Sequence, residues 1–164
     1  SDLKIMAMHT WFECKIRYEK VMENGMQKKV TEPYLVDALS FTEAEARIIE
    51  EMTPFISGEF TVSDIKRANY SELFPSDEES ADRWFKCKLI FITLDEKSGA
   101  EKKTSTQVLV QAADLRDAVK KLDEGMKGTM ADYQIGMVSE TPLMDVYPYS
   151  AEPNDKPEFD PSKA

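Results

Sequence analysis

A short run of residues occurs twice in this chain. Residues 11–15, Trp-Phe-Glu-Cys-Lys, return at 84–88 as Trp-Phe-Lys-Cys-Lys. The chain has two tryptophans and two cysteines, and the two runs contain all four. Two rare residue types that recur at one spacing indicate an internal duplication, which constrains the fold more than any single motif does.

The resemblance between the two halves extends well past these runs. The turn sequence Asn-Gly at 24–25 lies opposite Ser-Gly at 98–99, and Leu-Phe-Pro at 73–75 lies opposite Val-Tyr-Pro at 146–148. We therefore predict two tandem copies. The predicted divisions are an N-terminal segment 1–10, a first repeat 11–75, an acidic linker 76–83, a second repeat 84–149 and a Pro-rich acidic tail 150–164.

Composition predicts that both ends of the chain are disordered. The tail 150–164 is polar and rich in proline, with Phe159 as its large apolar side chain. We interpret Met8 as the native start, which would make Ser1–Ala7 upstream or added sequence.

Each copy is predicted to form strand, strand, helix and strand. In the first strand, apolar residues from Phe12 to Tyr18 alternate with charged residues, the period of a half-buried strand. A glycine turn and a second strand follow. Ser40 is the expected cap of the first helix and Asp114 that of the second. The third strands are predicted to begin at Phe60 and Tyr133.

The predicted fold class is α+β. One unit of three strands and a helix buries little apolar surface, so two copies are expected to share a core. We expect pseudo-two-fold symmetry around one shared antiparallel sheet or barrel, with both helices on one side. The helices should bury Phe41, Ala44, Ile48 and Met52 in the first copy and Leu115, Ala118, Val119 and Leu122 in the second.

The stretch from Val30 to Arg47 resembles a known but uncharacterised family. The family occurs in gut Bacteroidetes and their phages, and its signature is the Phe-Thr-Glu-Ala-Glu run at 41–45. The resemblance covers most of residues 8–149 and implies a bacterial or phage protein. It implies no activity, cofactor or site residue.

Charge and hydropathy narrow the possible functions. The formal net charge of -10 repels nucleic acid and anionic lipid over the molecule as a whole. No run of about 18 apolar residues is present, and the first residues lack a signal-peptide pattern, so a cytoplasmic protein without membrane contact is expected.

The sequence predicts neither an enzyme nor a bound metal or cofactor. His9 is the single histidine, and Cys14 and Cys87 alternate with charged residues as core side chains do. No phosphate-binding loop or paired-carboxylate motif occurs.

Cations gather in the two hairpins, and the remainder of the chain is acidic. Exposed aromatic rings with interleaved cations on a sheet bind single-stranded nucleic acid without sequence preference. The predicted site residues are Trp11, Lys15, Arg17, Trp84, Lys86 and Lys88. The alternative reading assigns these lysines to a solvated face and the tryptophans to an interface.

The leading interpretation is a non-enzymatic binding protein for single-stranded nucleic acid or a nucleotide-like ligand. The alternative is a protein-interaction or regulatory module, such as a host or phage accessory factor. Its acidic helices or tail would meet a basic partner, and Ile90 and Ile92 would meet a second subunit. Self-association is compatible with either interpretation.

Overall fold

The structure is a computed structural model that describes residues 10–148. Within that range there are eight strands and two helices. The elements in chain order are β1 (Trp11–Val21), β2 (Gln27–Asp37), α1 (Phe41–Met52), β3 (Phe60–Ala68), β4 (Glu72–Phe74), β5 (Arg83–Leu94), β6 (Glu101–Ala112), α2 (Leu115–Gly125), β7 (Tyr133–Glu140) and β8 (Asp145–Tyr147). The predictions for the segment before Thr10 and for the tail 150–164 lie outside the described residues.

The strands form two four-stranded sheets. The first sheet has the order β3-β1-β2-β8, and the second has the order β4-β6-β5-β7. The long strands pair antiparallel, whereas β8 and β4 run parallel to β2 and β6. The α+β class is thus confirmed, but a single antiparallel sheet or barrel is wrong. Additional strands already occupy both sides of each hairpin, which leaves no hairpin edge through which one sheet could continue.

The chain forms two compact units, each with one sheet and one helix. The second unit is Asn69–Pro142, and the first unit contains the described residues before Asn69 together with those from Leu143. β4 follows β3 in sequence but belongs to the second unit, and β8 follows β7 but belongs to the first. The sequence repeats 11–75 and 84–149 therefore differ from the compact units in their last strand.

The two long hairpins form where the alternation and the turn residues predict them. Gly25 has a φ of 85° and Gly99 a φ of 73°, which are left-handed conformations that glycine adopts without steric cost. Lys15 and Lys88 mark a register shift against the third strand of each sheet. Such bulges bend edge strands and discourage further pairing.

Both helices begin at their predicted caps. Ser40 Oγ accepts a hydrogen bond from the Glu43 N–H at 3.1 Å. Asp114 Oδ1 accepts one from the Asp117 N–H at 2.8 Å. These bonds satisfy backbone donors that have no partner within the first helical turn.

Helix α1 packs on one face of the first hairpin. Ala44, Ile48 and Met52 are buried against the alternate apolar residues of β1 and β2. Phe41, predicted within the same stripe, is 48% exposed and touches Phe12 edge to face. The buried stripe is therefore shorter than predicted.

Helix α2 packs in the same manner in the second unit. Ala118 and Leu122 are buried, Val119 is half-buried and Leu115 is 53% exposed. In both helices the residue directly after the cap thus stays partly in solvent. Neither described helix is long and apolar enough to span a membrane.

The two adjacent isoleucines of α1 offer a matched test of this packing. Ile48 is fully buried and Ile49 is 41% exposed. We expect Ile48→Ala to lower the free energy of unfolding by about 2–5 kcal/mol, since it leaves a cavity. Ile49→Ala should lower it by less than about 1 kcal/mol, because alanine favours the helix and little packing is lost. Urea unfolding measures both, and equal losses would contradict the assigned helix face.

Candidate functional site

The six predicted site residues lie on two different sheets. They are Trp11, Lys15 and Arg17 on β1, and Trp84, Lys86 and Lys88 on β5. In each strand they alternate with the side chains that pack on the helix, so they belong to the opposite face of that sheet. Each group of three shares one sheet face, and the two groups belong to separate units.

Neither tryptophan has an open ring. Trp11 is 2% exposed and Trp84 is 5% exposed. A base stacks only on a ring with a free face, so the expected exposed platform is absent at these two residues. Both rings belong to the buried apolar interior, in keeping with the large apolar surface of tryptophan.

The predicted cations differ in their access to solvent. Lys15, Lys86 and Lys88 are half-buried, whereas Arg17 is exposed. Arg17 lies far along β1, toward the hairpin turn, where it is opposite Thr31 of β2 and Thr61 of β3. Of the four predicted cations, Arg17 is therefore the most exposed.

A groove of about 940 Å³ opens beside Arg17. It lies between the turn end of the β1–β2 hairpin and the segment that joins α1 to β3. Its charged lining residues are Arg17, Lys20, Lys29, Glu19 and Glu59, and its aromatic ones are Tyr18, Phe55 and Phe60. Three cationic and three aromatic residues thus line the groove, with Arg17 on the sheet face away from α1 and Tyr18 on the face toward it.

The end of α1 places Phe55 at the groove. Pro54 cannot continue the helix, and the N–H groups of Phe55 and Ile56 both donate to the Met52 carbonyl at 2.9 and 3.1 Å. Gly58, with a φ of 96°, then turns the chain into β3. Phe55 is left 76% exposed, with a ring that is open to a ligand.

A buried carboxylate adjoins the groove. Glu32 is 9% exposed and faces α1 from the middle of β2. Its Oε1 accepts hydrogen bonds from the Tyr18 hydroxyl at 2.9 Å and the Tyr34 hydroxyl at 3.2 Å. Its Oε2 lies 3.4 Å from Lys20 Nζ. These partners satisfy the carboxylate and restrain Lys20, which is one of the groove cations.

The tyrosines of this cluster are held in the neutral form. Burial, followed by the hydrogen bond to Glu32, raises the pKa of Tyr18 to about 12. Burial and the charge of Glu32 raise the pKa of Tyr34 well above its ordinary value. Tyr147 stacks on Tyr34 at 6.2 Å between ring centroids, and its pKa is raised to about 12, chiefly by burial. Each hydroxyl therefore stays a donor at neutral pH.

The second unit has no equivalent cluster at the matching positions. Phe91 and Val108 lie where the first sheet has Tyr18 and Tyr34, and Thr106 lies where it has Glu32. The two sheets share strand order and register, but only the first carries this carboxylate and its tyrosine donors among the described residues. The Glu32 cluster is thus a feature of the first unit.

Sequence reasoning missed several of these residues. Lys20 and Lys29 counted toward the hairpin charge, but no pattern connected them to Phe55, which is far away in sequence. By its residue type alone, Glu32 is indistinguishable from the other charged residues of the strand. Its position in the alternation of β2 could have identified it, because Glu32 falls on the inward face. A charged side chain buried there needs hydrogen-bond or ion-pair partners.

The described residues show no metal-ligating cluster of three or more histidine, cysteine or acidic side chains. Cys14 and Cys87 are free and fully buried, as their alternation predicted. Burial raises the pKa of Cys14 to about 12 and that of Cys87 to about 11. Thiols in this state are poor nucleophiles at neutral pH. His9 lies outside the described residues.

The Tyr18 hydroxyl supports a pH-dependent prediction. Tyr18→Phe is expected to lower the free energy of unfolding by about 1 kcal/mol at neutral pH, because Glu32 loses a donor. An unfolded tyrosine ionises near pH 10, whereas folded Tyr18 ionises near 12. Its contribution is therefore complete below about pH 10 and declines as the pH rises toward 12. Urea unfolding at several pH values should show the two proteins converging above about pH 10, and a constant difference would refute the cluster.

Comparisons with known proteins place the chain in a family. No curated protein and no solved structure shows significant similarity to it. A family described as a domain of unknown function, DUF4494, matches residues 10–149. This span includes both sheets and both helices, and it agrees with the resemblance to an uncharacterised family inferred from residues 30–47. The chain belongs to the DUF4494 family.

Proposed function

We propose that this chain is a non-enzymatic binding protein that holds single-stranded nucleic acid in the groove of its first unit. The observation that carries the proposal is the exposed ring of Phe55, which lines the same groove as Arg17 and Lys29. Rings supply stacking surfaces for any base, and cations pair with any phosphate. The groove volume, about 940 Å³, is at the upper end of the range found for ligand sites.

The cations of the groove favour nucleic-acid binding there, although the molecule as a whole is negatively charged and repels nucleic acid. The groove is lined by three cations and two carboxylates, against a net charge of -10 for the chain. A strand of nucleic acid would approach along this surface and be repelled by acidic regions such as the outer side of α1. The proposed binding is therefore sensitive to salt.

The proposal concerns binding and includes no reaction. The groove has neither histidine nor cysteine among its lining residues. Its buried neighbour Glu32 already accepts hydrogen bonds from two tyrosines and pairs with Lys20. A carboxylate with these partners serves to position Lys20. The free cysteines fit a reducing compartment, as the cytoplasmic prediction requires.

We further propose that the two units arose by duplication and that ligand binding belongs to one copy. The two sheets have equivalent strand orders, β3-β1-β2-β8 in the first and β7-β5-β6-β4 in the second. Each has its register shift at the lysine of the repeated Cys-Lys pair, Lys15 or Lys88. The replacement of the Glu32 cluster by apolar and hydroxyl side chains in the second copy is typical of divergence after duplication.

Two substitutions in the groove test the proposed function. Phe55→Ala should weaken binding of a labelled single-stranded oligonucleotide by about 1–3 kcal/mol through lost stacking. Lys29→Ala should weaken binding and reduce the slope of log affinity against log salt by about 0.7. Fluorescence anisotropy over a salt series measures both quantities.

Lys103→Ala is the matched control, because Lys103 occupies the position of Lys29 in the second hairpin and is also exposed. It should leave affinity and salt slope unchanged. Absence of binding to DNA, RNA and nucleotides at every ionic strength would overturn the proposal and favour the protein-interaction module. An equal effect of the control would move the site away from the groove.

A further inference from the structure

The last residues of β1 present a short strand edge to the groove. β3 pairs with β1 as far as Phe60 opposite Tyr18, whereas β1 continues to Val21. Among the described strands, β2 alone pairs with residues 19–21, and these three residues line the groove. An edge of this length is too short to continue a sheet, but it can receive an extended segment through main-chain hydrogen bonds.

Two segments of three residues already add to sheet edges in this chain. β4 is Glu-Leu-Phe at 72–74 and β8 is Asp-Val-Tyr at 145–147. Each begins with an acidic residue, contains an aromatic ring and is followed directly by proline, which cannot continue the pairing. This combination occurs three times in the sequence, and the third case is Glu-Phe-Asp at 158–160, followed by Pro161.

The charge of the groove suits this third segment. The carboxylates of Glu158 and Asp160 are repelled by the acidic outer side of α1. The groove has three cations and two carboxylates among its lining residues. Its cations are Arg17, Lys20 and Lys29. The carboxylates of the segment are therefore attracted to the groove.

The groove also offers an apolar contact to the segment. Phe55 is 76% exposed and Val21 is 66% exposed, and both line the groove. Phe159 is the large apolar side chain of the tail. Contact between the rings of Phe159 and Phe55 would remove apolar surface of both from water, and aromatic pairs are stabilised further by their ring geometry.

The tail begins close enough to the groove to reach it. Arg47 Nη2 donates to the Pro148 carbonyl at 3.3 Å, which holds the start of the tail beside α1 in the same compact unit. Phe55 follows Arg47 by eight residues, and eight residues span about 12 Å of helix. Phe159 follows Pro148 by eleven residues, which span about 34 Å in a polyproline II conformation. The tail is thus longer than the path requires.

We infer that segment 158–160 of this chain occupies the groove of the first unit as a short strand added to the β1 edge. Phe159 then contacts Phe55, and the two carboxylates of the segment face the groove cations. The tether keeps the segment at a high effective concentration near the groove, which favours it over a free peptide. The docked tail also competes with nucleic acid for the groove, a consequence that rests on the proposed function.

Disulfide trapping in the full-length chain tests the docking without nucleic acid. One cysteine replaces Ser57 in the groove, and the other replaces Ser162, which leaves segment 158–160 and its proline unchanged. Under mild oxidation we expect a disulfide within one chain, detected as a monomer by non-reducing electrophoresis. Cys14 and Cys87 are buried with raised pKa values and should not react.

The matched comparison adds Phe159→Ala to the same cysteine pair. Docking predicts that the disulfide then forms about two- to tenfold more slowly, as the loss of one aromatic contact implies. Phe55→Ala should slow it equally, and both changes together should slow it no further, because they remove the same contact. Equal rates with and without Phe159, or disulfide-linked dimers in place of the monomer, would overturn the inference.

Oligonucleotide binding separates this inference from the proposed function. In the chain without added cysteines, Phe159→Ala should tighten binding of the labelled oligonucleotide, because the groove is freed. Slower trapping in the Phe159→Ala protein, together with no oligonucleotide binding by any variant, would refute the proposed function and support the docked tail. Oligonucleotide binding that is unchanged by Phe159→Ala, together with equal trapping rates, would refute the docked tail alone.

Discussion

The antiparallel pairing of β1 with β2, and of β5 with β6, is the interaction on which every other element depends. Each hairpin offers a largely apolar face to a helix, which buries Ile48 in the first unit and Leu122 in the second. Each hairpin also offers two edges, which β3 and β8, or β7 and β4, then occupy. An isolated β-hairpin is only marginally stable in water. Packing against the helix and pairing with the added strands therefore stabilise each hairpin.

The same frame explains why the candidate site lies at one end of the first sheet. Near Trp11 both faces of the hairpin are covered, and the side chains there serve packing. Toward the turn the strand residues become exposed, and Arg17, Lys20 and Lys29 reach solvent. The segment after α1 then brings Phe55 across to these cations. Exposure and burial along one strand thus separate the structural residues from those available to a ligand.

Each of the short strands β4 and β8 belongs to a different unit from the strand that precedes it in sequence. The second unit, Asn69–Pro142, is continuous in sequence and contains β4, whereas the first sheet receives β8 only after the chain has passed through the second unit. The groove and the β2 edge belong to the same hairpin but use different parts of it, since Lys29 lies near the turn and Tyr34 near the other end.

The sequence by itself determined the local elements of this protein. Alternation in β1, the caps Ser40 and Asp114 and the glycine turns act over a few residues, and the structure has each of them where the pattern predicts. Only the tertiary structure decided that the chain forms two mixed sheets, that Trp11 and Trp84 are buried, and that Phe55 joins the cations of the hairpin. Alternation predicts that two faces exist but does not tell which of them another part of the chain will cover. That choice depends on contacts between residues distant in sequence and on connection lengths, which a periodic pattern does not contain.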